Sequence, residues 1–143
     1  MTIEEYLARE EIHVLFAAYT EAGDRGRLPA LAACFAPDGV LEFPGTRAAG
    51  PEQITTALGA GPHNPALTLV RHHIALPRIT LEATDQASAR TYFTVFTNAG
   101  LDHTGHYADR LVRLPQGWRF ALRQVRIDWQ AKTSLHPDFG TRK

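Results

Sequence analysis

The stretch HTGHYADRLVRLPQGWRFALRQVRIDW, residues 103–129, decides the fold class of this chain. It contains two long runs rich in β-branched and aromatic residues, 103–114 and 117–129, separated by the turn-forming segment PQG. Such a pair predicts two antiparallel strands joined by a tight turn. Similar runs at 66–82 and 87–98 are bounded by ATDQ and AGLD. The second half therefore predicts a meander of four long strands.

The first half of the chain has helical patterning instead. Apolar residues between positions 3 and 22 fall on one stripe of a helix, and the segment AGDRGR ends it. The other expected elements are a short apolar helix in LPALAACFA, a short strand in VLEF, a loop in PGTRAAGP and a short helix in PEQITTAL. Helices followed by a meander predict an α+β domain, with a curved, mostly antiparallel sheet wrapped over the helices. Such a cone has one open end, and concave mouths favour ligand sites.

Length and composition narrow the possible classes of function. The 143 residues predict a single domain over 1–130, followed by a tail, 131–143, that is loose or covers the pocket mouth. The zero formal net charge argues against nucleic-acid binding and against an electrostatic membrane anchor. The single cysteine, Cys34, excludes an internal disulfide. Neither a signal peptide nor an apolar run of membrane-spanning length is recognisable, so a cytoplasmic protein is expected.

Two adjacent histidines stand in the expected strand VRHHIALP, residues 70–77. Neighbouring strand residues point to opposite faces, and the more apolar face carries His72. We therefore expect His72 to point inward and His73 outward. Adjacent strand histidines cannot share an ion, and the other five histidines show no ligand spacing, so no metal is expected. A satisfied core histidine is the alternative role for His72.

Asp24 is the candidate partner from the first half. It is expected just past the C-terminal end of the first helix, where a carboxylate meets the negative end of the helix dipole at a cost of about 0.3–1 kcal/mol. A role in the turn Asp-Arg-Gly is the alternative.

The combination of Tyr19 and Asp24 with CFAPDGVLEFPG, RHHI and GHYADRLVRLPQGWRFALRQVRIDW resembles the SnoaL-like branch of the nuclear transport factor 2-like (NTF2-like) superfamily. The resemblance covers about residues 4–129. Within that branch, Asp24 with the first histidine of RHHI is most similar to scytalone dehydratase, bile-acid 7α-dehydratase and hexachlorocyclohexane dehydrochlorinase. The resemblance implies a cone-shaped fold, an Asp–His pair in its pocket, and proton abstraction next to a leaving group.

Carried over to this sequence, the resemblance makes His72 the general base or acid. Asp24 would orient it, and the hydroxyl of Tyr19 would donate a hydrogen bond in the pocket. The second pocket histidine of scytalone dehydratase falls on Thr97, and the strand tyrosine of both dehydratases falls on Phe43. The serine and asparagine of scytalone dehydratase fall near Gly105 and Tyr107. These departures argue against scytalone itself as the substrate. The base of ketosteroid isomerase also falls near Phe43, which argues against that mechanism.

The remaining candidates are substrate-binding residues. Apolar and aromatic side chains predict a lumen for a small hydrophobic molecule, such as a polyketide, terpenoid or aromatic ring. The expected contacts are Leu41, Phe43, Phe93, Tyr107, Asp109, Trp118 and Arg126. Cross-strand pairing on the sheet is the alternative role for Tyr107, Asp109 and Arg126, and core packing is the alternative for Trp118.

Three functions remain open at this stage. The first is a cofactor-independent lyase or isomerase using His72 and Asp24, since neither GxGxxG nor a P-loop occurs. The second is a non-catalytic small-molecule-binding or assembly domain of the same fold. The third is a polyketide cyclase or epoxide-opening enzyme using Asp109 and Arg126. The resemblance also implies a homo-oligomer, a dimer or a trimer, formed through the outer face of the sheet.

Overall fold

The computed structural model describes residues 1–61 and 63–140 and has an α+β architecture. The elements, in chain order, are α1 (Ile3–Asp24), α2 (Leu28–Ala32), β1 (Phe35–Phe43), β2 (Thr46–Ala49), α3 (Pro51–Gly59), β3 (Val70–Ile74), β4 (Arg78–Ala83), β5 (Gln86–Thr97), β6 (Gly100–Leu114) and β7 (Gly117–Gln130). Among these residues, none of the helices combines the length and apolar character that a membrane span requires.

The first helix begins at a capping box. The Thr2 hydroxyl accepts a hydrogen bond from the Glu5 backbone N–H (3.1 Å), and the Glu5 carboxylate accepts one from the Thr2 backbone (2.8 Å). This reciprocal pair satisfies two donors that a helix N-terminus otherwise leaves free. The helix expected over 3–22 is thus present and runs on to Asp24, which places the candidate carboxylate in the last turn.

The seven strands form one curved, open sheet in the order β2-β1-β7-β6-β5-β3, with β4 also paired to β5. Every pairing is antiparallel except that of β1 with β7, which is parallel. The expected α+β fold with a mostly antiparallel sheet is therefore confirmed, and the parallel pair makes the sheet mixed. The helix α1 packs against it through Phe16 and Tyr19, whose rings contact Phe120.

Two sequence-based expectations about the strands are wrong. The segment PGTRAAGP is not all loop, because residues 46–49 form β2 after a turn at Gly45, where φ is 79°. The long strand expected at 66–82 is two strands, β3 and β4, interrupted before Pro77, which has no backbone N–H to donate to a ladder. The N–H groups of Thr68 and Leu69 donate to the Asn98 side chain instead of to a strand.

The core is unevenly distributed under the sheet. A large cluster fills the space beneath α1 and includes the fully buried Ile12 and Phe120. A smaller cluster, Phe93, Val95 and Tyr107, lies further along the concave face. Half-buried apolar side chains pack around it, namely Val70, Ile74, Val125 and Ile127. Because these concave-face side chains stay partly exposed, this region is an incompletely filled lumen.

Candidate active site

The end of α1 and the middle of β3 bring Asp24 and His72 together. Nδ1 of His72 lies 2.6 Å from Oδ1 of Asp24. The backbone N–H of His72 also donates to this carboxylate, at 3.2 Å to Oδ1 and 3.1 Å to Oδ2. The unfavourable position of Asp24 at a helix C-terminus is thereby offset by charge-assisted hydrogen bonds. His73 is exposed, and its ring contacts Phe96 at 5.0 Å.

The electrostatics of the pair define which ring nitrogen can act as a base. Burial alone would raise the pKa of Asp24, but the hydrogen bonds and charge of His72 hold that pKa below its ordinary value. An ionised carboxylate only accepts hydrogen bonds, so Nδ1 of His72 carries the proton of the neutral ring. Nε2 is then the basic nitrogen, and it forms no hydrogen bond with any described residue.

The pair opens onto a groove of about 1030 Å³ between α1 and the β3–β4 connection. Its lining includes Asp24 and His72 together with Phe16, Thr20, Ile74 and Leu76. Three arginines, Arg25, Arg27 and Arg71, also lie along it. A molecule bound in this groove can therefore contact His72. Arg25 forms an ion pair with Glu21 at the same surface, with 3.3 Å between Nε of Arg25 and Oε1 of Glu21.

Tyr19 lies one turn before Asp24, beside the rings that border the lumen. Its ring meets that of Tyr107 edge-on at 6.1 Å, and Cζ of Arg123 lies 4.3 Å from its centre. Burial raises the pKa of Tyr19, which keeps the phenol protonated and able to donate. The charge of the adjacent Arg123 and its hydrogen bond to the phenol oppose this rise in part.

Phe93 and Tyr107 lie nearest the histidine among the expected substrate contacts, but both are buried (3% exposed) and neither lines the groove. The Phe93 ring is 6.3 Å from that of His72 and stacks on Tyr107 at 4.6 Å. This packing requires Gly105, because a Cβ there would lie 2.7 Å from Cζ of Phe93. Burial raises the pKa of Tyr107 far above its ordinary value, so this phenol also stays neutral.

Other expected contacts lie elsewhere. Leu41 and Trp118 are buried in the large core cluster, and neither lines the groove nor packs on the Phe93 cluster. Phe43 is half-buried against the large cluster. Their expected role as substrate contacts is therefore corrected to core packing for Leu41 and Trp118. Along a strand, core residues and lumen residues both alternate with outward-facing residues, so the sequence pattern could not distinguish a core residue from a lumen residue.

Asp109 and Arg126, the two residues expected to serve the cyclase alternative, do not meet in the structure. Asp109 instead accepts two hydrogen bonds from Arg123, from Nε at 2.9 Å and from Nη2 at 3.0 Å. Arg126 is exposed and lies opposite His106 in the register of β6 and β7. A bulge between Arg110 and Leu111 shifts the register and sets Asp109 opposite Arg123.

Arg123 is a residue that the sequence analysis missed. Its side chain is 1% exposed, and the guanidinium lies over the rings of Phe16, Tyr19, Tyr107 and Phe120, 3.7–4.8 Å from their centres. Burial alone would lower its pKa, but the adjacent Asp109 carboxylate raises it, so the charge is permanent. The alternation in RQVRID could have identified it, because Arg123 shares one face of β7 with Val125 and Ile127, whereas Arg126 lies on the other face.

A second Asp–His cluster lies at the start of β6. Oδ1 of Asp102 is 2.6 Å from Nδ1 of His103, 3.0 Å from Nδ1 of His136 and 2.7 Å from the Ser134 hydroxyl. The backbone N–H of Leu135 donates to Oδ2 at 2.8 Å. Sequence spacing did not reveal this cluster, because His103 and His136 are brought together only by the chain after β7.

This cluster contains the described side chains best placed to hold a metal. The ligand atoms of Asp102, His103 and His136 all lie within 4.8 Å of one another. Metal binding would require both Nδ1 atoms to be unprotonated. Their short contacts with an acceptor-only carboxylate instead indicate that both nitrogens carry protons, which favours a hydrogen-bonded cluster.

The segment after β7 lies against this cluster. The Phe139 ring is 5.0 Å from the ring of His103, and the Phe139 N–H donates to the Gln130 side chain at 3.1 Å. The side chain of Asn64 donates to the backbone oxygen of Leu135 at 3.1 Å. Of the expected tail 131–143, residues 141–143 lie outside the described residues.

Comparisons with known proteins agree with this architecture. The family model of the SnoaL-like domain matches residues 4–124. An NTF2-like protein with a cystatin-like fold from Novosphingobium aromaticivorans is 26% identical, with a TM-score of 0.77 over 90% of this chain and 87% of that chain.

Two other similar structures carry names that bear on chemistry. A candidate scytalone dehydratase from Novosphingobium aromaticivorans is 19% identical, with a TM-score of 0.79 over 92% of this chain and 91% of that chain. ActVI-ORFA from Streptomyces coelicolor is 20% identical, with a TM-score of 0.74 over 83% of this chain and 96% of that chain. At these identities the likeness shows the fold alone. No curated protein matches the chain.

Proposed function

This chain belongs to the SnoaL-like domain family, with an NTF2-like fold, and we propose that it is a cofactor-independent lyase or isomerase. The observation that carries the proposal is the Asp24–His72 pair. The 2.6 Å contact orients the ring, and the unpartnered Nε2 belongs to a residue that lines an open groove. This arrangement supplies a fixed general base without any bound cofactor.

The proposed reaction begins with proton transfer from a substrate carbon to Nε2 of His72. The imidazolium that forms is stabilised by the Asp24 carboxylate, which keeps its own charge. The electron pair left on the substrate then either expels a hydroxyl group, which leaves as water with the proton from the His72 imidazolium, giving elimination, or takes that proton back at another carbon, giving isomerisation. Tyr19 is proposed to donate its hydroxyl hydrogen bond to the developing negative charge. Acid–base catalysis of this kind contributes about 10²–10⁴ to a rate.

The proposed substrate is a small hydrophobic, ring-containing molecule. Support comes from apolar groove residues such as Phe16, Ile74 and Leu76, and from the Phe93 ring, which packs behind His72 at 6.3 Å. Cyclic β-hydroxy ketones are the simplest compounds with the required chemistry, because they have an acidic C–H next to a carbonyl and a hydroxyl leaving group. The name of one structural neighbour, a candidate scytalone dehydratase, favours dehydration among the possible eliminations.

The test uses neighbouring histidines that point to opposite faces. Dehydration of a panel of cyclic β-hydroxy ketones is followed by enone absorbance for the wild type, His72→Ala and His73→Ala. We expect His72→Ala to lose about 10²–10⁴ in kcat/KM and His73→Ala to stay within about twofold of the wild type, since exposed sites away from the chemistry change little. Thermal unfolding of each variant checks that the fold is retained.

Full activity in a folded His72→Ala variant would contradict the proposal. The non-catalytic binding alternative predicts a different outcome, namely tight binding of panel compounds without turnover and no effect of Asp24→Asn on affinity. The cyclase alternative required Asp109 and Arg126 in one site, and is not proposed because these side chains do not meet.

We further propose a homo-oligomer formed through the outer face of the sheet. Large apolar side chains are exposed on its strands, including Tyr92 (74% exposed) and Trp129 (47% exposed), and the Phe96 ring contacts that of His73 there at a tilt. Exposed aromatic side chains clustered on one face mark association surfaces. The small hydrophobic substrate and copies of this chain are thus the proposed partners.

A further inference from the structure

A second histidine shares the concave face with His72. In the sheet register His72 lies opposite Val95, and Val95 lies opposite His103. Residues directly opposite each other in a sheet point to the same face. Neighbouring strands are about 4.8 Å apart, so the two histidines stand about 10 Å apart along this row. The Phe93 ring contacts both imidazoles, at 6.3 Å from His72 and 6.1 Å from His103.

The two histidines are held in the same chemical form. Nδ1 of His103 is 2.6 Å from the Asp102 carboxylate, as Nδ1 of His72 is from Asp24. Nδ1 therefore carries the proton, and Nε2 is an acceptor. Nε2 of His103 forms no hydrogen bond with a described residue. Polar atoms that are completely buried and have no partner do occur in this fold, but Nε2 of His103 is not one of them. This nitrogen is therefore not completely enclosed, although His103 as a whole is only 5% exposed.

The surroundings of His103 keep its ring neutral. Burial lowers its pKa, and the nearby His136 and His72 lower it further, which outweighs the opposing effect of Asp102. A neutral ring with Nδ1 committed to Asp102 cannot donate from Nε2. What it offers is one fixed hydrogen-bond acceptor close to the ring of Phe93.

We propose that Nε2 of His103 accepts a hydrogen bond from a hydroxyl group of the substrate. The substrate is then a hydroxylated ring compound, and its hydroxyl is held on the opposite side of the lumen from the carbon that His72 deprotonates. This inference rests on the proposed function for the role of His72. Asp102 acts as a positioning residue, and Ser134 and Leu135 fix its carboxylate by hydrogen bonds of 2.7 and 2.8 Å. The chain after β7 thereby helps to define the substrate.

The test measures binding and needs no turnover. The probes are 2,6-naphthalenediol, which has hydroxyls at both ends, 2-naphthol, which has one, and naphthalene. For the wild type we expect the diol to bind about threefold or more tightly than 2-naphthol, the gain of one further hydrogen bond. His103→Leu should abolish this difference. The matched control His106→Leu, on the outward face of the same strand, should preserve it.

Nitrogen-15 NMR of the wild-type histidine rings keeps the proposal testable even if His103→Leu does not fold. We expect protonated Nδ1 and unprotonated Nε2 at His103, with the Nε2 resonance shifting when the diol binds and unchanged when naphthalene binds. A proton on Nε2, an unshifted Nε2 resonance, or stoichiometric Zn²⁺ binding through Nδ1 of His103 and His136 would each overturn it. Inactivity of the protein towards ketones would leave these results intact, so the two proposals fail separately.

Discussion

Replacing Asp109 by asparagine is expected to destabilise the protein strongly while leaving the proposed chemistry in place. The two carboxylate oxygens accept hydrogen bonds of 2.9 and 3.0 Å from Arg123, and the side chains of the pair are 0% and 1% exposed. Asparagine keeps the shape of the side chain but removes its charge. The guanidinium then remains charged and buried, because the surrounding rings cannot neutralise it.

The expected loss follows from this burial. Removing one partner of a buried ion pair costs about 3–5 kcal/mol, because the other charge is left uncompensated. For a chain of 143 residues, each kcal/mol corresponds to roughly 3–4 °C in Tm. Asp109→Asn should therefore lower Tm by about 10–20 °C. The double variant Asp109→Leu with Arg123→Met should recover most of this loss, since apolar replacements of a buried pair are often neutral.

Urea unfolding followed by tryptophan fluorescence measures these differences. Asp128→Asn is the matched control, because Asp128 is half exposed and contacts His106 at 2.9 Å on the outer face; we expect it to change stability by less than about 0.5 kcal/mol. A loss below about 1 kcal/mol for Asp109→Asn would refute a structural role for the pair. Loss of turnover at unchanged stability would instead favour the cyclase chemistry.

Three further results are expected. The pKa of His103 is lowered in the folded state, so the unfolded chain binds more protons at acidic pH. The free energy of unfolding should therefore fall as the pH drops below about 6.5, and urea midpoints measured from pH 8 to pH 5 test this. Gly105→Ala should strongly destabilise the folded protein, because a Cβ there would clash with the backbone oxygen of Arg126. In the control Gly59→Ala, the nearest atom to the new Cβ lies at 3.6 Å, so thermal unfolding should show an unchanged or higher stability. Tyr92→Glu should lower the mass measured by light scattering to that of a monomer, and an unchanged oligomer would exclude this face as the interface.

The fold could be predicted largely from local patterns. The alternation in HTGHYADRLVRLPQGWRFALRQVRIDW and the helical stripe before Asp24 are properties of single segments, and both elements form as expected. The parallel pairing of β1 with β7 could not be predicted, because it joins segments about eighty residues apart. The short strand β2 was missed because its residues, TRAA, have weak strand propensity and owe their pairing to the adjacent β1.

The candidate site was only partly accessible from sequence. The contact between Asp24 and His72 was expected from the resemblance to the SnoaL-like branch, since the position of each residue in its own element also allowed a turn role for Asp24 and a core role for His72. Arg126 was expected to act with Asp109 without any use of strand alternation, whereas Asp109 lies opposite Arg123, which shares a face with Val125 and Ile127.

The second histidine of the lumen was missed for a different reason. His103 is held by the residue beside it, Asp102, and that carboxylate is fixed by the chain more than thirty residues later. The resemblance pointed to Thr97 for a second histidine, whereas the structure places one on the next strand of the sheet. Only the cross-strand register relates His103 to His72.

The central claim is that His72 removes a proton from carbon, and exchange of that proton with solvent tests it most directly. Cyclic β-hydroxy ketones are incubated in D₂O with the wild type, His72→Ala or His73→Ala, and deuterium at the carbon next to the carbonyl is followed by NMR. The account predicts enzyme-dependent exchange that His72→Ala slows by at least about 100-fold and that His73→Ala leaves unchanged. Equal exchange by a folded His72→Ala variant, or binding of the ketones without any exchange by the wild type, would contradict it.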